Sequence, residues 1–191
     1  MIQGVFGLPG AGKTTFLTKY AQKCLQGKSF LRTPPHSRVF TNFECSGCYR
    51  FDFDDLGKYD FSDSLILIDE IMLYADTRNF KTFPDELKRF FALHRHFHTD
   101  VCYCSQYFDD MDKKLRVLTD RLYLLERGVL LSQFSFVKPI HRVLGVVDGR
   151  IQDAYLVGAP VTWSFVYRPH YYEHFDSFAH DELPRHVFEK W

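Results

Sequence analysis

Residues 7–14 read Gly7-Leu8-Pro9-Gly10-Ala11-Gly12-Lys13-Thr14, which matches the pattern GxxxxGK[ST] at every fixed position. The segment Ile2–Phe6 before it is short and partly β-branched, as is typical of a buried strand. After it, apolar residues recur at helical spacing from Phe16 to Leu25, and Gly27 follows where a helix would end. The alternative is a glycine-rich turn that contains Lys-Thr by chance. The flanking strand and helix favour a phosphate-binding loop, and therefore a P-loop nucleotide-binding fold.

The predicted loop offers groups for both a nucleotide and its metal. Its glycines allow successive N–H groups to point inward, and the positive end of the following helix adds to this anion site. Lys13 is expected to bridge the β- and γ-phosphates, and the Thr14 hydroxyl to bind Mg²⁺. ATP and Mg²⁺ are therefore the predicted cofactors. The predicted nucleotide-binding residues are Gly7, Pro9, Gly10, Ala11, Gly12, Lys13, Thr14 and Thr15.

Two acidic residues follow the aliphatic run Leu65–Ile68. Such a run is typical of a strand covered on both faces, as in a parallel sheet flanked by helices. Asp69 and Glu70 would then lie at the carboxyl edge of a central strand, where open α/β sheets bind their ligands. Asp69 is predicted to hold Mg²⁺, and Glu70 to polarise the attacking water as a general base. The alternative is a solvated acidic pair at a strand end.

The spacing of the two motifs indicates a class of P-loop protein. Lys13 and Asp69 are 56 residues apart (69 − 13), and the interval contains one more strand-like segment, Val39–Phe43. We therefore expect an additional strand between the phosphate-loop strand and the acidic strand. With the adjacent glutamate, this arrangement is typical of the additional-strand catalytic-glutamate division of P-loop ATPases. The guanine-reading pattern Asn-Lys-x-Asp does not occur in the sequence.

A further polar pair, Ser105-Gln106, follows the strand-like segment Val101–Cys104. It is expected at the same edge of the sheet as the acidic pair, because parallel strands end on the same side. Gln106 is predicted to sense the γ-phosphate or to orient water. The alternative is an ordinary polar pair that caps a strand.

Strand-like and helical segments alternate from Ile2 to about Glu126, which predicts a three-layer α/β domain with a parallel central sheet. Pro84-Asp85-Glu86 is a usual helix start. The apolar face of that helix is predicted to consist of Leu87, Phe90, Phe91, His94 and Phe97.

Beyond Gly128 the sequence becomes β-rich. The predicted strands are Val129–Val137, His141–Val147 and Ile151–Val157, with Asp148-Gly149 as a hairpin turn between the last two. We interpret the chain as a single domain, 1–191, with a nucleotide-binding core at 1–127 and a β-rich, aromatic C-terminal extension at 128–191. The sequence does not predict the fold of 161–191.

The composition is that of one globular domain. The chain has 191 residues, of which 46% are hydrophobic, and its Lys+Arg and Asp+Glu totals are both 24. The zero net charge excludes a global attraction to nucleic acid or anionic lipid, so any DNA contact would be local. Five cysteines without a secretory segment predict a cytoplasmic protein. No apolar run approaches the length of about 18 residues that a membrane span needs.

Several of these elements together resemble the zonular occludens toxin (Zot) family, the ATPase domain of filamentous-phage assembly and export proteins. The resemblance rests on the two nucleotide motifs and on shorter matches: Leu93-His94-Arg95-His96 before Asp100-Val101, Ser105-Gln106, Asp112 with Arg116, and Tyr172-Glu173-His174-Phe175-Asp176-Ser177.

The resemblance implies a motor in the host cytoplasm, where a ring-shaped homo-oligomer couples ATP hydrolysis to virion extrusion through the inner membrane. Its implied partners are phage coat or packaging proteins and export proteins, with possible phage DNA contact. Family members usually continue into a single spanning helix, so membrane attachment is expected only through a segment absent from this chain.

The predicted phosphate-contacting residues supply no second positive charge for the γ-phosphate in the transition state. Related ring ATPases take an arginine from the next subunit for this purpose. Arg116 matches an arginine position of the resembled family and is the first candidate, ahead of Arg121 and Arg95; the alternative is a solvated surface arginine. The predicted catalytic residues are Glu70, Lys13, Gln106 and Arg116.

Other clusters and functions stay open. Cys45 and Cys48 have half the ligands of a structural zinc site, and the alternative is two ordinary thiols. The basic groups His94–His98 and Lys113-Lys114 with Arg116 are either solvated or in contact with nucleic acid or a subunit. The alternative functions are a nucleotide-gated binding module, a small-molecule kinase and a DNA-translocating ATPase.

Overall fold

The computed structural model describes residues 1–73, 85–108, 113–147 and 150–175. The nine strands that it forms in these ranges are β1 (Ile2–Phe6), β2 (Arg38–Thr41), β3 (Tyr49–Arg50), β4 (Ser64–Ile68), β5 (Asp100–Ser105), β6 (Arg121–Arg127), β7 (Phe134–Val147), β8 (Arg150–Val157) and β9 (Ser164–Tyr167). Its α-helices are α1 (Lys13–Leu25), α2 (Asp85–Leu93) and α3 (Lys113–Leu118). Short 3₁₀ helices are formed by Phe53–Asp55, Ile71–Leu73, Pro160–Thr162 and Arg168–His174.

All nine strands belong to one sheet with the order β3-β2-β4-β5-β1-β6-β7-β8, and β9 pairs with β7. The pairs from β3 to β6 are parallel, and those that involve β7 are antiparallel. The predicted α/β class with a parallel central sheet and a C-terminal hairpin is confirmed.

One strand separates the phosphate-loop strand β1 from the acidic strand β4, as the motif spacing predicted. That strand is β5, which comes later in the chain than both motifs. The strand-like segment between the motifs forms β2 instead, and it pairs with the far edge of β4. Sequence order did not identify the intervening strand because parallel crossovers permit either side of β4.

The aliphatic strand β4 is covered on both faces, which explains its unbroken apolar sequence. Leu65 and Leu67 pack with Phe16 and Leu17 of α1, and Ile66 and Ile68 pack on the opposite face with residues of α2. These four aliphatic side chains are 0% exposed. β4 lies between β2 and β5, so the acidic pair that follows it has a strand on either side at the sheet edge.

Several predicted boundaries are wrong. Helix α2 ends at Leu93, so Phe97 lies in the following turn and is 41% exposed. The strand predicted from Val129 begins only at Phe134, because Val129 and Leu130 lie in an exposed loop, at 95% and 97% exposure.

The C-terminal extension is continuous with the core sheet. Its strand β7 joins the end of the first predicted segment to the whole of the second. It is hydrogen-bonded to β6 and pairs with β8 up to Val147 opposite Arg150. The predicted turn residues Asp148 and Gly149, and also Pro84, Asp112, Asp176 and Ser177, lie outside the described residues. The 3₁₀ helix Arg168–His174 places Tyr171 in the core beside α1.

In the described part of the chain, no helix combines the length and apolarity that crossing a bilayer requires.

Candidate nucleotide-binding site

The glycine-rich loop connects β1 to α1 at the carboxyl edge of the parallel strands. The N–H of Gly7 donates to Ser105 O at 3.2 Å, which ties the loop to the end of β5. Gly10 and Gly12 have φ angles of 76° and 93°, which residues with a side chain rarely adopt. Helix α1 begins at Lys13 directly after Gly12, so the free N–H groups of its first turn face the loop. This is the geometry of an anion cradle.

The Lys13 side chain lies within the loop that it is predicted to serve. It is 8% exposed, and its Nζ donates to Gly7 O at 3.0 Å. The ammonium therefore already lies across the mouth of the cradle, where it can exchange a carbonyl oxygen for phosphate oxygens.

The two predicted metal ligands are in contact. Thr14 Oγ1 donates to Asp69 Oδ2 at 2.5 Å, across 55 residues of sequence. Burial raises the pKa of the Asp69 carboxyl, against the opposing effects of the Thr14 hydrogen bond and the Lys13 charge. A hydroxyl and a carboxylate are hard oxygen ligands of the kind that Mg²⁺ prefers, so the residues present fit this metal.

The raised pKa of Asp69 predicts that the affinity of the site for Mg²⁺ falls as the pH falls. A carboxyl with a raised pKa keeps its proton to higher pH, and because the metal needs the carboxylate, protons compete with Mg²⁺. The measurement is the Mg²⁺ concentration that half-saturates ATP binding, from about pH 8 to about pH 5. Asp69→Asn is the control, since it removes this titration and keeps that of the nucleotide. Identical pH profiles in parent and control would contradict the metal assignment.

Asn42 holds the acidic strand end, and sequence reasoning missed it. Its Nδ2 donates to Asp69 O at 2.9 Å, and the Asp69 N–H donates to Asn42 Oδ1 at 2.7 Å. The signal was present, because a polar residue near the end of a strand parallel to β4 lies at the same edge of the sheet. The predicted strand Val39–Phe43 included Asn42, whereas β2 ends at Thr41, which frees the Asn42 side chain to turn towards β4.

Glu70 has an unusual backbone conformation. Its φ is 49°, in the left-handed region, and its N–H donates to Asp69 Oδ1 at 3.0 Å. Non-glycine residues in this region cluster at functional sites, because the surrounding structure must hold them there. Glu70 is half-buried at the edge where Thr14 and Asp69 meet.

Gln106 and Arg116 lie in different surroundings. Gln106 is half-buried and directly follows Ser105, the residue whose carbonyl contacts the loop, so it shares the sheet edge with the acidic pair. Arg116 lies on α3, with its guanidinium carbon 5.0 Å from the centre of the Phe108 ring. Phe108 packs against the core cluster on the face opposite α1. The structure thus brings Lys13, Thr14 and Asp69 together and places Arg116 on the other face.

Two residues of the C-terminal extension also contact the loop, and no sequence signal indicated them. Ser135 Oγ donates to Ala11 O at 2.6 Å, and Arg168 Nη1 donates to Gly10 O at 3.2 Å. They are 124 and 158 residues away from their partners. The pairing of β7 with β6, next to β1, brings Ser135 to the loop, and the pairing of β9 with β7 brings Arg168 there.

The other sequence clusters have local roles. The five cysteines are free thiols, and a hydrogen bond from Cys48 lowers the pKa of Cys45. Within the described ranges, no group of three or more His, Cys, Asp or Glu residues could hold a metal ion. His94 is buried with its Nδ1 2.8 Å from Phe91 O, and Arg95 forms an ion pair with Asp120. The side chains of Lys113 and Lys114 lie outside the described residues.

Comparison with known proteins identifies one family and several related folds. A family model described as zonular occludens toxin (Zot) matches residues 30–150, which include the acidic pair but not the glycine-rich loop. No curated protein sequence is significantly similar to the chain.

The fold is similar to those of two solved proteins. The N-terminal domain of zonular occludens toxin from Neisseria meningitidis has a TM-score of 0.52 and 14% identity, over 92% of this chain and 98% of that chain. The genome packaging NTPase B204 from Sulfolobus turreted icosahedral virus 2, in complex with ATP-gammaS, has a TM-score of 0.52 and 11% identity, over 72% of this chain and 91% of that chain. At these identities the similarity concerns the fold, which is that of P-loop NTPases.

Proposed function

Because this chain belongs to the zonular occludens toxin (Zot) family, we propose that it is a Mg²⁺-dependent ATPase that acts as a motor in filamentous-phage assembly. In this proposal it works in the host cytoplasm as a ring-shaped homo-oligomer. Its partners are phage coat or packaging proteins and the export proteins through which the virion leaves. The family and the P-loop NTPase fold support nucleotide binding.

The contact between Thr14 and Asp69 carries the proposal. Their oxygens are 2.5 Å apart beside the buried Lys13, at the start of the helix that follows the glycine-rich loop. A structural glycine turn would need neither a buried lysine nor a half-buried carboxylate at this place, and charged groups are costly to remove from water without a partner. A Mg²⁺–nucleotide site explains all three groups.

The residues of the site divide the work of hydrolysis. When bound, Mg²⁺ would neutralise charge on the β- and γ-phosphate oxygens. The loop N–H groups bind the β-phosphate, and Lys13 moves from Gly7 O to the phosphate oxygens. Glu70 accepts a proton from the attacking water, which Gln106 helps to orient. The water oxygen bonds to the γ-phosphorus as the bond from that phosphorus to its bridging oxygen breaks, and ADP and phosphate leave.

Lys13→Ala is expected to weaken ATP binding roughly 100-fold, because it removes the main side-chain charge from the phosphates. The measurement is titration with a fluorescent ATP analogue, with circular dichroism to confirm the fold. Lys23→Ala is the matched control, since Lys23 lies in the last turn of the same helix. Undiminished affinity in Lys13→Ala would refute the phosphate-loop assignment.

A DNA-translocating ATPase is the second candidate, favoured by the similarity of the fold to a genome packaging NTPase. The two motors differ in what stimulates them. Turnover that rises with added DNA favours translocation, and turnover that rises with phage assembly proteins favours the export motor. A nucleotide-gated binding module would bind ATP without turnover, and a small-molecule kinase would turn over only with an acceptor.

A further inference from the structure

The C-terminal extension contacts two consecutive carbonyl groups in the middle of the phosphate loop. Ser135, which is 0% exposed, donates from Oγ to Ala11 O at 2.6 Å. Arg168 donates from Nη1 to Gly10 O at 3.2 Å. These two residues therefore form hydrogen bonds with the loop, although they lie outside the segment that carries the nucleotide motifs.

These contacts determine where the loop N–H groups point. In a planar trans peptide the carbonyl and the following N–H lie on opposite sides. Holding Ala11 O towards Ser135 therefore directs the Gly12 N–H away from Ser135. In the same way, Gly10 O turns towards Arg168 while the Ala11 N–H donates to Leu8 O at 3.0 Å. An anion-binding loop works only if its free N–H groups converge. The first peptide unit therefore directs the Gly12 N–H, and the second holds the turn from Leu8 to Ala11 that shapes the loop.

The packing at Gly12 is close enough that it leaves no room for a side chain. A Cβ built on Gly12 would lie 2.7 Å from Ser135 Oγ and 2.8 Å from Arg168 Cδ. The loop thus touches both residues directly, and a shift of either would be transmitted to the backbone of Gly12.

Both residues are themselves fixed by the sheet. Ser135 is paired with Arg127 of β6 and with Val166 of β9. The Arg168 N–H donates to Gln133 O at 2.9 Å, and its Nη2 donates to Ser132 O. The guanidinium therefore links the phosphate loop to the β6–β7 connection, which carries the exposed Val129 and Leu130.

We propose that Ser135 and Arg168 are positioning residues of the phosphate loop, which hold the carbonyls of Ala11 and Gly10 so that the Gly12 N–H faces the phosphates and the Ala11 N–H keeps the turn to Leu8 O. The β-rich extension is then a working part of the nucleotide site. The inference rests on the proposed function only where nucleotide affinity is concerned, because the loop geometry can be tested without nucleotide.

The first measurement is the pair of backbone amide resonances of Ala11 and Gly12 in ¹⁵N-labelled protein without nucleotide. Ser135→Ala and Arg168→Met remove the donors, and both resonances are expected to shift. Arg142→Met is the matched control, because Arg142 lies on the same extension and pairs with Asp153 instead. Resonances that move no more than in Arg142→Met would overturn the proposal, whatever the protein binds.

The second measurement is ATP affinity by calorimetry. Ser135→Ala and Arg168→Met are each expected to weaken ATP binding roughly tenfold, as the loss of one buried or charge-assisted hydrogen bond does. Arg168→Lys should recover part of the loss, which a general loss of stability would not do. ATP affinities equal to the parent in both variants would overturn the positioning role.

Failure of the parent to bind ATP would instead refute the proposed function, and the amide resonances would still decide this inference. If Arg168→Met does not fold, Ser135→Ala, which removes a single hydroxyl, decides both measurements.

Discussion

Glu70→Gln is expected to keep Mg²⁺–ATP binding and to lose hydrolysis by a factor of about 10²–10⁴, the usual contribution of a positioned general base. Glutamine keeps the shape of glutamate but cannot accept the proton of the attacking water. The Glu70 backbone, with φ 49°, donates its N–H to Asp69 Oδ1, and the substitution leaves this backbone bond in place, so the variant should fold normally. The variant is therefore expected to lose turnover and to keep the nucleotide-binding site.

The measurement is phosphate release at saturating Mg²⁺–ATP, together with the affinity for ATP. Asp69→Asn is the companion variant, and it should instead weaken the dependence on Mg²⁺, since Asp69 contacts the Thr14 hydroxyl. This contrast separates the base from the metal ligand. Hydrolysis by Glu70→Gln at the parent rate would remove Glu70 from the catalytic set.

Arg116→Ala is expected to lower hydrolysis by roughly 10³-fold or more while a mixture with Glu70→Gln regains activity, if Arg116 is an arginine finger that acts on the next subunit. The guanidinium lies over Phe108, on the sheet face opposite α1. An arginine there would have to reach the phosphates of a neighbouring copy. In a mixed oligomer, some interfaces pair an intact Glu70 with an intact Arg116, and these interfaces hydrolyse ATP.

The mixture is assayed for phosphate release under conditions in which light scattering shows mixed oligomers. Arg142→Ala mixed with Glu70→Gln is the control, because Arg142 lies on the extension in an ion pair with Asp153. Activity of the Arg116→Ala and Glu70→Gln mixture that does not exceed either parent variant would exclude a shared site at Arg116. A monomeric ATP-binding module would then be the better account.

The sequence predicted the parts of the site that depend on local order. The glycine-rich loop is a contiguous pattern whose flanks have their own periodicities, and the aliphatic run Leu65–Ile68 carries its acidic pair directly behind it. Such local patterns can be recognised without knowing where the segments lie in the fold. The contact of Thr14 with Asp69 then follows, because the loop after β1 and the end of β4 lie at the same carboxyl edge of the sheet.

Strand position was only partly predictable. Motif spacing indicated an additional strand, but β5 fills that place and β2 lies beyond β4. The choice between the two sides of β4 depends on the packing of all the helices against the sheet, which no local pattern records. Likewise, the start of β7 at Phe134 depends on pairing with β6, because the apolar residues Val129 and Leu130 have no partner strand and stay exposed.

The sequence by itself determined the P-loop fold, the cradle at 7–14 and the acidic pair, because each is encoded within a short stretch of chain. Only the tertiary structure decided that Asn42 clamps Asp69, and that Ser135 and Arg168 hold the loop carbonyls. Those contacts join segments up to 158 residues apart, and they form because antiparallel β7 and β9 extend the sheet past β6. A serine or an arginine in a β-rich segment has no local signature for such a role, since its partner is a backbone carbonyl that every residue possesses.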